Sequence, residues 1–223
     1  VLVVCDRREE TIMGSLTRFN LGYINKTLGI SHVIETGTWY GEGVQYGLAY
    51  NFTVQSCELN SKFFMVVSDR FQNDKRVELF QMPSYKFLPL ALDLPSVYWL
   101  DAHLPELYVH HEEGISFDRS ISVPLEKELE ILVLKENFKN SVLIIDDLRI
   151  YHPQFNYEGG NIAQIDRFDL VGWCARNISH THYFWVSESD QGYLVAVPKS
   201  KVSENNKKEV LKSLCYVVKY TGD

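Results

Sequence analysis

Three aspartates stand directly behind short apolar runs: Asp101 closes "VYWL", and Asp146 with Asp147 closes "VLII". If both runs are strands of one parallel sheet, they deliver three carboxylates to the same rim. Adjacent carboxylates repel one another and are costly to desolvate, and a hard divalent cation such as Mg²⁺ offsets both costs with oxygen ligands. Asp101, Asp146 and Asp147 are therefore the candidate metal ligands, and Asp101 is also a candidate catalytic residue. The competing reading is that Asp101 touches cofactor or substrate while Asp146 or Asp147 caps a loop. His103, two residues past Asp101, titrates near neutral pH as a residue type, which suits it to take a proton from a hydroxyl or to contact substrate; a structural role is the alternative.

A second stretch, "IETGTWYGEGVQ" from Ile34 to Gln45, sets Gly37, Gly41 and Gly43 behind Glu35 in an E-x-G-x-x-x-G pattern. Glycines this dense either bring a backbone close to a ligand or make a tight strand-to-helix turn. The spacing is not the G-x-G-x-x-G of dinucleotide-binding folds, which disfavours a nicotinamide-dependent or nucleotide-sugar enzyme.

The elements that must position these residues follow from periodicity. After a helical lead-in, "SLTRFNLGYINKTLG", short β-rich runs alternate with helical patterns. They are "SHVIE", "TVQSCE", "RVELFQ", "SVYWLD" and "SVLIIDD", separated by "EGVQYGLAYN", "SKFFMVVSDRF", "SYKFLPLAL" and "VPLEKELEILVLKEN". Right-handed crossovers place such strands in one parallel sheet with helices on both faces. "THYFWVSES" and "GYLVAVPK", separated only by Asp190 and Gln191, predict an antiparallel hairpin at the sheet edge. The fold class is thus α/β: a Rossmann-like doubly wound sheet, mostly parallel, with an antiparallel C-terminal hairpin. Residues 1–30 read as a lead-in, 31–199 as the domain proper and 200–223 as a C-terminal helix and tail.

Length and composition agree with one domain: 223 residues, 45% hydrophobic and 13% aromatic. A net charge of -7 does not suit a surface that grips phosphate backbone, so nucleic acid is not an expected partner. The apolar start "VLVVC" is too short to span a membrane. Cys5, Cys57, Cys174 and Cys215 lack C-x-x-C spacing and read as reduced, mostly buried thiols. The N-x-[ST] triplets at Asn25, Asn51 and Asn177 are weak evidence of glycosylation, so a cytoplasmic location is expected. The missing initiator methionine fits a trimmed chain or a domain of a larger polypeptide; the oligomeric state is not legible.

With "ETGTWYGEGVQ" after the first strand, Glu58 closing the second in "VQSCELN", "WLDAH" closing the fourth and "LIIDDLR" closing the fifth, the chain resembles class I S-adenosylmethionine-dependent methyltransferases. The resemblance covers about Ser31 to Lys199. Within that class it is most similar to metal-dependent O-methyltransferases of the catechol and macrocin types. It implies S-adenosylmethionine as cofactor, bound by Glu35, Thr36, Gly37, Thr38, Gly41, Glu58, Leu59, Ser84 and Asp101. Gly37 and Gly41 would admit its methionine part and Glu58 its ribose hydroxyls. The family often has an acid near the position of Pro83; this chain has "QMPS", so the adenine contact must come from elsewhere, Ser84 among the candidates. Mg²⁺ on Asp101, Asp146 and Asp147 would hold an acceptor hydroxyl.

A sugar or glycan hydroxyl is the expected acceptor, from the resemblance and from Trp39, Tyr40, Tyr108, Tyr151 and Tyr157 near the rim; a small phenolic or polyketide acceptor is the alternative. The segment "LPELYVHHEEGISFDRSIS", with His110, His111, Glu112 and Glu113, reads as a lid or substrate loop, and Arg149 and Tyr151 as possible substrate contacts. A cap-type RNA 2′-O-methyltransferase is disfavoured, since no lysine follows "LIIDDLR" at the expected place. A non-catalytic cofactor-binding domain is the remaining alternative.

Overall fold

The structure is a computed structural model that describes residues 15–103, 121, 123–151, 168–187 and 192–214. Seven strands form one sheet: β1 (His32–Thr36), β2 (Thr53–Cys57), β3 (Val77–Phe80), β4 (Val97–Leu100), β5 (Val142–Ile145), β6 (His182–Ser187) and β7 (Tyr193–Pro198), in the order β3-β2-β1-β4-β5-β7-β6. The first five pair in parallel, and β7 lies antiparallel between β5 and β6. Every residue of β1, β4, β5 and β7 is buried, as expected for strands covered on both faces. The expected mostly parallel sheet with its C-terminal hairpin is therefore present; the Asp190–Gln191 connection lies outside the described residues.

The strands build from β1 out to β3, then return to the other side of β1 with β4. This reversal is the switch point at which open α/β sheets bind ligands, beyond the carboxyl ends of the strands. Register makes the rim there: Thr36 pairs with Cys57 and with Leu100, Cys57 with Phe80, and Leu100 with Ile145. The residues that follow these ends, Gly37, Glu58, Gln81, Asp101 and Asp146, are consequently set along one edge.

Helices cover both faces. One face packs α1 (Leu21–Tyr23), α2 (Glu42–Ala49) and α7 (Lys207–Leu214) through Leu21, Val44 and Leu211 against Val33, Trp99 and Val195. The other packs α4 (Ser84–Phe87), α5 (Leu125–Leu132) and α6 (Leu170–Asn177) through Phe87, Leu129 and Cys174 against Ile34, Tyr98 and Leu143. The flanks expected as lead-in and tail are part of this packing, and Asn20 N–H donates to Leu214 O at 2.8 Å. The lead-in is more broken than its periodicity predicts, with a 3₁₀ turn at Leu16–Arg18, α1, and a π-helical turn at Ile24–Leu28 that ends on left-handed Gly29. α5 is shorter than "VPLEKELEILVLKEN" because the Asp93 carboxylate takes the main-chain N–H groups of Glu136 and Asn137 and turns the chain toward β5. Among the described residues no helix is long and apolar enough to cross a membrane.

Candidate active site

The glycine turn connects β1 to α2 and is anchored to the end of β2: Gly37 and Thr38 both donate their N–H to Cys57 O, at 3.0 and 3.1 Å. Gly37 has φ +83°, and a side chain there would place its Cβ 2.5 Å from the main-chain oxygen of Asp101. The position thus requires glycine because β1 and β4 end against each other, a reason independent of any ligand. Gly43 has a different reason. A Cβ there would sit 1.9 Å from Glu35 Oε1, so the missing side chain is the space that the Glu35 carboxyl occupies. Gly41 likewise faces Phe71 and Val67 of α3 (Ser61–Phe71).

Glu35 is 2% exposed and accepts the Ser56 hydroxyl at 2.6 Å, while Ser56 Oγ also lies 2.5 Å from Thr38 Oγ1. Burial raises its pKa to about 8, against the lowering effect of Ser56, and the Glu58 charge raises it further. Glu58, half-buried, accepts N–H from Trp39 at 2.9 Å and from Asn60 at 2.8 Å, one on each carboxylate oxygen. Burial raises its pKa, and the N–H groups of Asn60, Trp39 and Leu59 work against that. Trp39 holds φ +49°, unusual for a bulky residue, and its ring stacks on Phe63 with centroids 4.1 Å apart. Tyr40, edge-on to both rings, is half exposed.

At the β4–β5 end, His103 stands between two aspartates: Nδ1 lies 3.3 Å from Asp101 Oδ1, and Nε2 is in direct contact with Asp147 Oδ2. One ligand-type atom from each of Asp101, His103 and Asp147 falls within 4.8 Å of the others. Asp147 holds a left-handed backbone, φ +52°, and its N–H donates to Asp146 Oδ1 at 2.7 Å. The expected trio is thus rearranged: Asp101 and Asp147 converge with His103, while Asp146 braces the turn beside them. Asp101 is pushed well above the usual carboxylate range, first by burial and then by the charges of Asp146, Asp147 and Glu35. Two carboxylates and an imidazole within reach of one another are a donor set that a divalent cation fits, and a cation would relieve that repulsion.

One carboxylate at this rim was not anticipated. Glu128 on α5 is 1% exposed, and its Oε1 has no hydrogen-bond partner. Burial raises its pKa to about 7, while the hydroxyls of Ser84 and Thr36 and the nearby His103 work in the other direction. The sequence carries the signal. Leu125, Glu128, Leu129 and Leu132 fall at i, i+3, i+4 and i+7, so Glu128 interrupts an apolar stripe rather than joining the polar face with Glu126 and Glu130.

The remaining expected residues divide. Thr36 Oγ1 accepts from Asp101 N–H at 3.3 Å, Leu59 is half-buried behind Glu58, and Ser84 is buried with its Oγ unpartnered. Tyr151 is buried in the apolar cluster beneath the rim rather than presented to a substrate. The segment with Tyr108, His110, His111, Glu112 and Glu113, together with Tyr157 and the Arg149 side chain, lies outside the described residues.

No family model and no curated protein matches the sequence. Solved structures do match its fold. A Podospora anserina methyltransferase with S-adenosylhomocysteine bound aligns at TM-score 0.56 and 12% identity, over 80% of this chain and 76% of its own. A protein assigned as a caffeoyl-CoA O-methyltransferase from Staphylococcus aureus aligns at TM-score 0.54 and 11% identity, over 80% of each. An rRNA methylase from Streptococcus thermophilus aligns at TM-score 0.50 and 12% identity, over 79% of this chain and 92% of its own. The last two carry names for different acceptors on one scaffold, so the scaffold does not choose the acceptor. In architecture, this chain has the fold of the class I S-adenosylmethionine-dependent methyltransferases.

Proposed function

We propose that this protein is an S-adenosylmethionine-dependent O-methyltransferase, with a divalent cation, Mg²⁺ in the first instance, held by Asp101, His103 and Asp147. The observation that carries the reading is the convergence of those three side chains on the rim that also bears the Gly37 turn and Glu58. A carboxylate has room for about four hydrogen bonds, so Glu58 can take ribose hydroxyls besides the two N–H groups it already accepts. The N–H groups at the start of α2 face the place where the donor's carboxylate would lie. Once bound, S-adenosylmethionine supplies an electrophilic methyl group, and the cation supplies a Lewis acid that lowers the pKa of an acceptor hydroxyl. Asp101 and Asp147 orient that acceptor, and His103 either completes the cation's shell or takes the hydroxyl proton.

The acceptor we infer is a sugar or glycan hydroxyl, with a small phenol as the next choice. The Trp39–Tyr40–Phe63 cluster beside the glycine turn suits stacking on a sugar face. The buried free thiols Cys57 and Cys174 suit a reducing, cytoplasmic setting. The test is methyl transfer from labelled donor to a panel of sugar and phenolic acceptors, in chelator and after Mg²⁺ or Mn²⁺ is restored. Reversible loss in chelator supports the cation. Full activity in chelator, with only His103→Ala inactive, would remove the cation and leave His103 as the base. Absence of transfer to every acceptor, together with absent donor binding, would overturn the enzyme itself.

A further inference from the structure

Five of the ten large apolar side chains left exposed among the described residues stand together at the end of the sheet opposite the rim: Leu90, Leu92, Leu94, Val133 and Leu134. Leu134 is 84% exposed and Leu90 62%. The first three belong to the loop that leads from α4 into β4 at Val97, and the other two follow α5 on the way to β5 at Val142. Both segments therefore lie at the amino ends of β4 and β5, a strand's length from Asp101 and Asp147.

The two segments are bound to each other, so the patch is continuous and held in place. The Asp93 carboxylate accepts N–H from Glu136 and Asn137, both at 3.0 Å; the Asn137 side-chain amide donates to Asp93 O at 2.9 Å, and the Lys135 ammonium to Ala91 O at 2.7 Å. Leu88 and Ala91 of the same loop are buried, which takes up its inward positions and leaves Leu90, Leu92 and Leu94 in water. A loop fixed in this way cannot hide its leucines without giving up those hydrogen bonds. The five side chains leave roughly 400 Å² of apolar surface in water, a size at which an exposed patch is often functional.

We propose that this patch is the contact between two copies of the chain, packed patch against patch about a two-fold axis. The area fits, because each partner in a standard interface buries about 800 Å², of which about 60% is apolar. The flanking charge fits as well. Lys86 and Glu130, one turn before the two segments, and Glu136 and Lys139, just after the second, are all exposed. A border of both signs can meet its own copy with opposite charges paired, whereas a partner of a single sign would meet like charge at half of it. A lipid surface is disfavoured, since anionic headgroups repel a net charge of -7. With the contact at the amino ends of the strands, the two rims face away from each other and each stays open.

The experiment is sedimentation velocity on the full chain from about 1 to about 100 μM, the weak end of the affinities that interfaces of this area show. The wild type is expected to sediment as a dimer. Leu134→Glu would bury two unpaired carboxylates per dimer and should raise the dissociation constant at least about a hundredfold. Leu92→Glu should act in the same direction and keeps the test open if the first variant is poorly folded by thermal melt. Met65→Glu, at an exposed apolar position on α3, should leave the dimer intact. A wild type that is monomeric at about 100 μM overturns the proposal, as does a dimer that survives both folded patch variants or is lost equally in Met65→Glu. A monomer captured by neutral phosphatidylcholine vesicles overturns it in favour of lipid. The oligomeric state is read without donor or acceptor, so each outcome is independent of the reading of the rim.

Discussion

At the β2 end of the rim, Glu58 accepts main-chain N–H groups from Trp39 and Asn60, whereas at the β4–β5 end Asp101 and Asp147 face His103 and each other. The first carboxylate is satisfied by the backbone that presents it and is ready for a neutral hydroxyl. In the second group His103 stands between the carboxylates of Asp101 and Asp147. On the proposed reading, the fold prepares one half of the rim by itself and a cation would complete the other. On that reading the cationic donor would not replace the cation, because its methyl group would meet an acceptor oxygen whose charge also requires stabilising.

The contrast breaks most severely at the acid cluster. Asp147→Asn should reduce methyl transfer at least about a thousandfold, roughly 4 kcal/mol of transition-state stabilisation, while leaving the affinity for S-adenosylhomocysteine within about twofold. Parallel loss of ligand binding would mean that the two halves are not separate.

A second prediction concerns Glu35, which lies between the halves. Its folded pKa of about 8 stands above the ordinary 4.5, so the folded state binds the extra proton. Stability from this group is fully present below about pH 4.5 and is lost as pH rises toward 8. The shift bounds the loss at about 5 kcal/mol, and about 3 kcal/mol is expected once relaxation and water entry relieve the burial. Glu35→Gln should flatten that part of the stability–pH curve measured by denaturant unfolding; a curve parallel to wild type would show that Glu35 ionises freely in the folded chain.

Much of this was legible in the sequence, and the reason is geometric. Strands that end in Glu58, Asp101 and Asp146, the last two apolar throughout, announce a rim, because a parallel sheet aligns its carboxyl ends. What could not be read needed tertiary information. Dense glycine suggested approach to a ligand, yet Gly37 is explained by the Asp101 backbone and Gly43 by the Glu35 carboxyl, contacts between segments far apart in the chain. The exchange of Asp146 for His103 in the converging trio depends on the left-handed turn at Asp147, which apolar patterning does not encode. Glu128 was readable in principle from its place in the leucine stripe, but three glutamates in "LEKELE" look like a solvated face until α5 is docked.

A smaller effect sharpens the glycine account. Gly43→Ala should cost about 2 kcal/mol net, since the clash with Glu35 outweighs a helix-propensity gain of about 1 kcal/mol. Combined with Glu35→Ala the cost should largely disappear, and a double-mutant cycle by thermal unfolding measures the coupling. Additive losses would indicate that Gly43 is needed for something other than the carboxyl.

The most direct test of the central claim, a donor pocket at the β1–β2 end of the rim, is calorimetric titration of S-adenosylhomocysteine and NAD into wild type and Glu58→Ala. We predict saturable binding of S-adenosylhomocysteine alone, weakened by about 1.5–3 kcal/mol in Glu58→Ala through loss of charge-assisted hydrogen bonds. No binding, tighter binding of NAD, or an affinity unchanged by Glu58→Ala would contradict it.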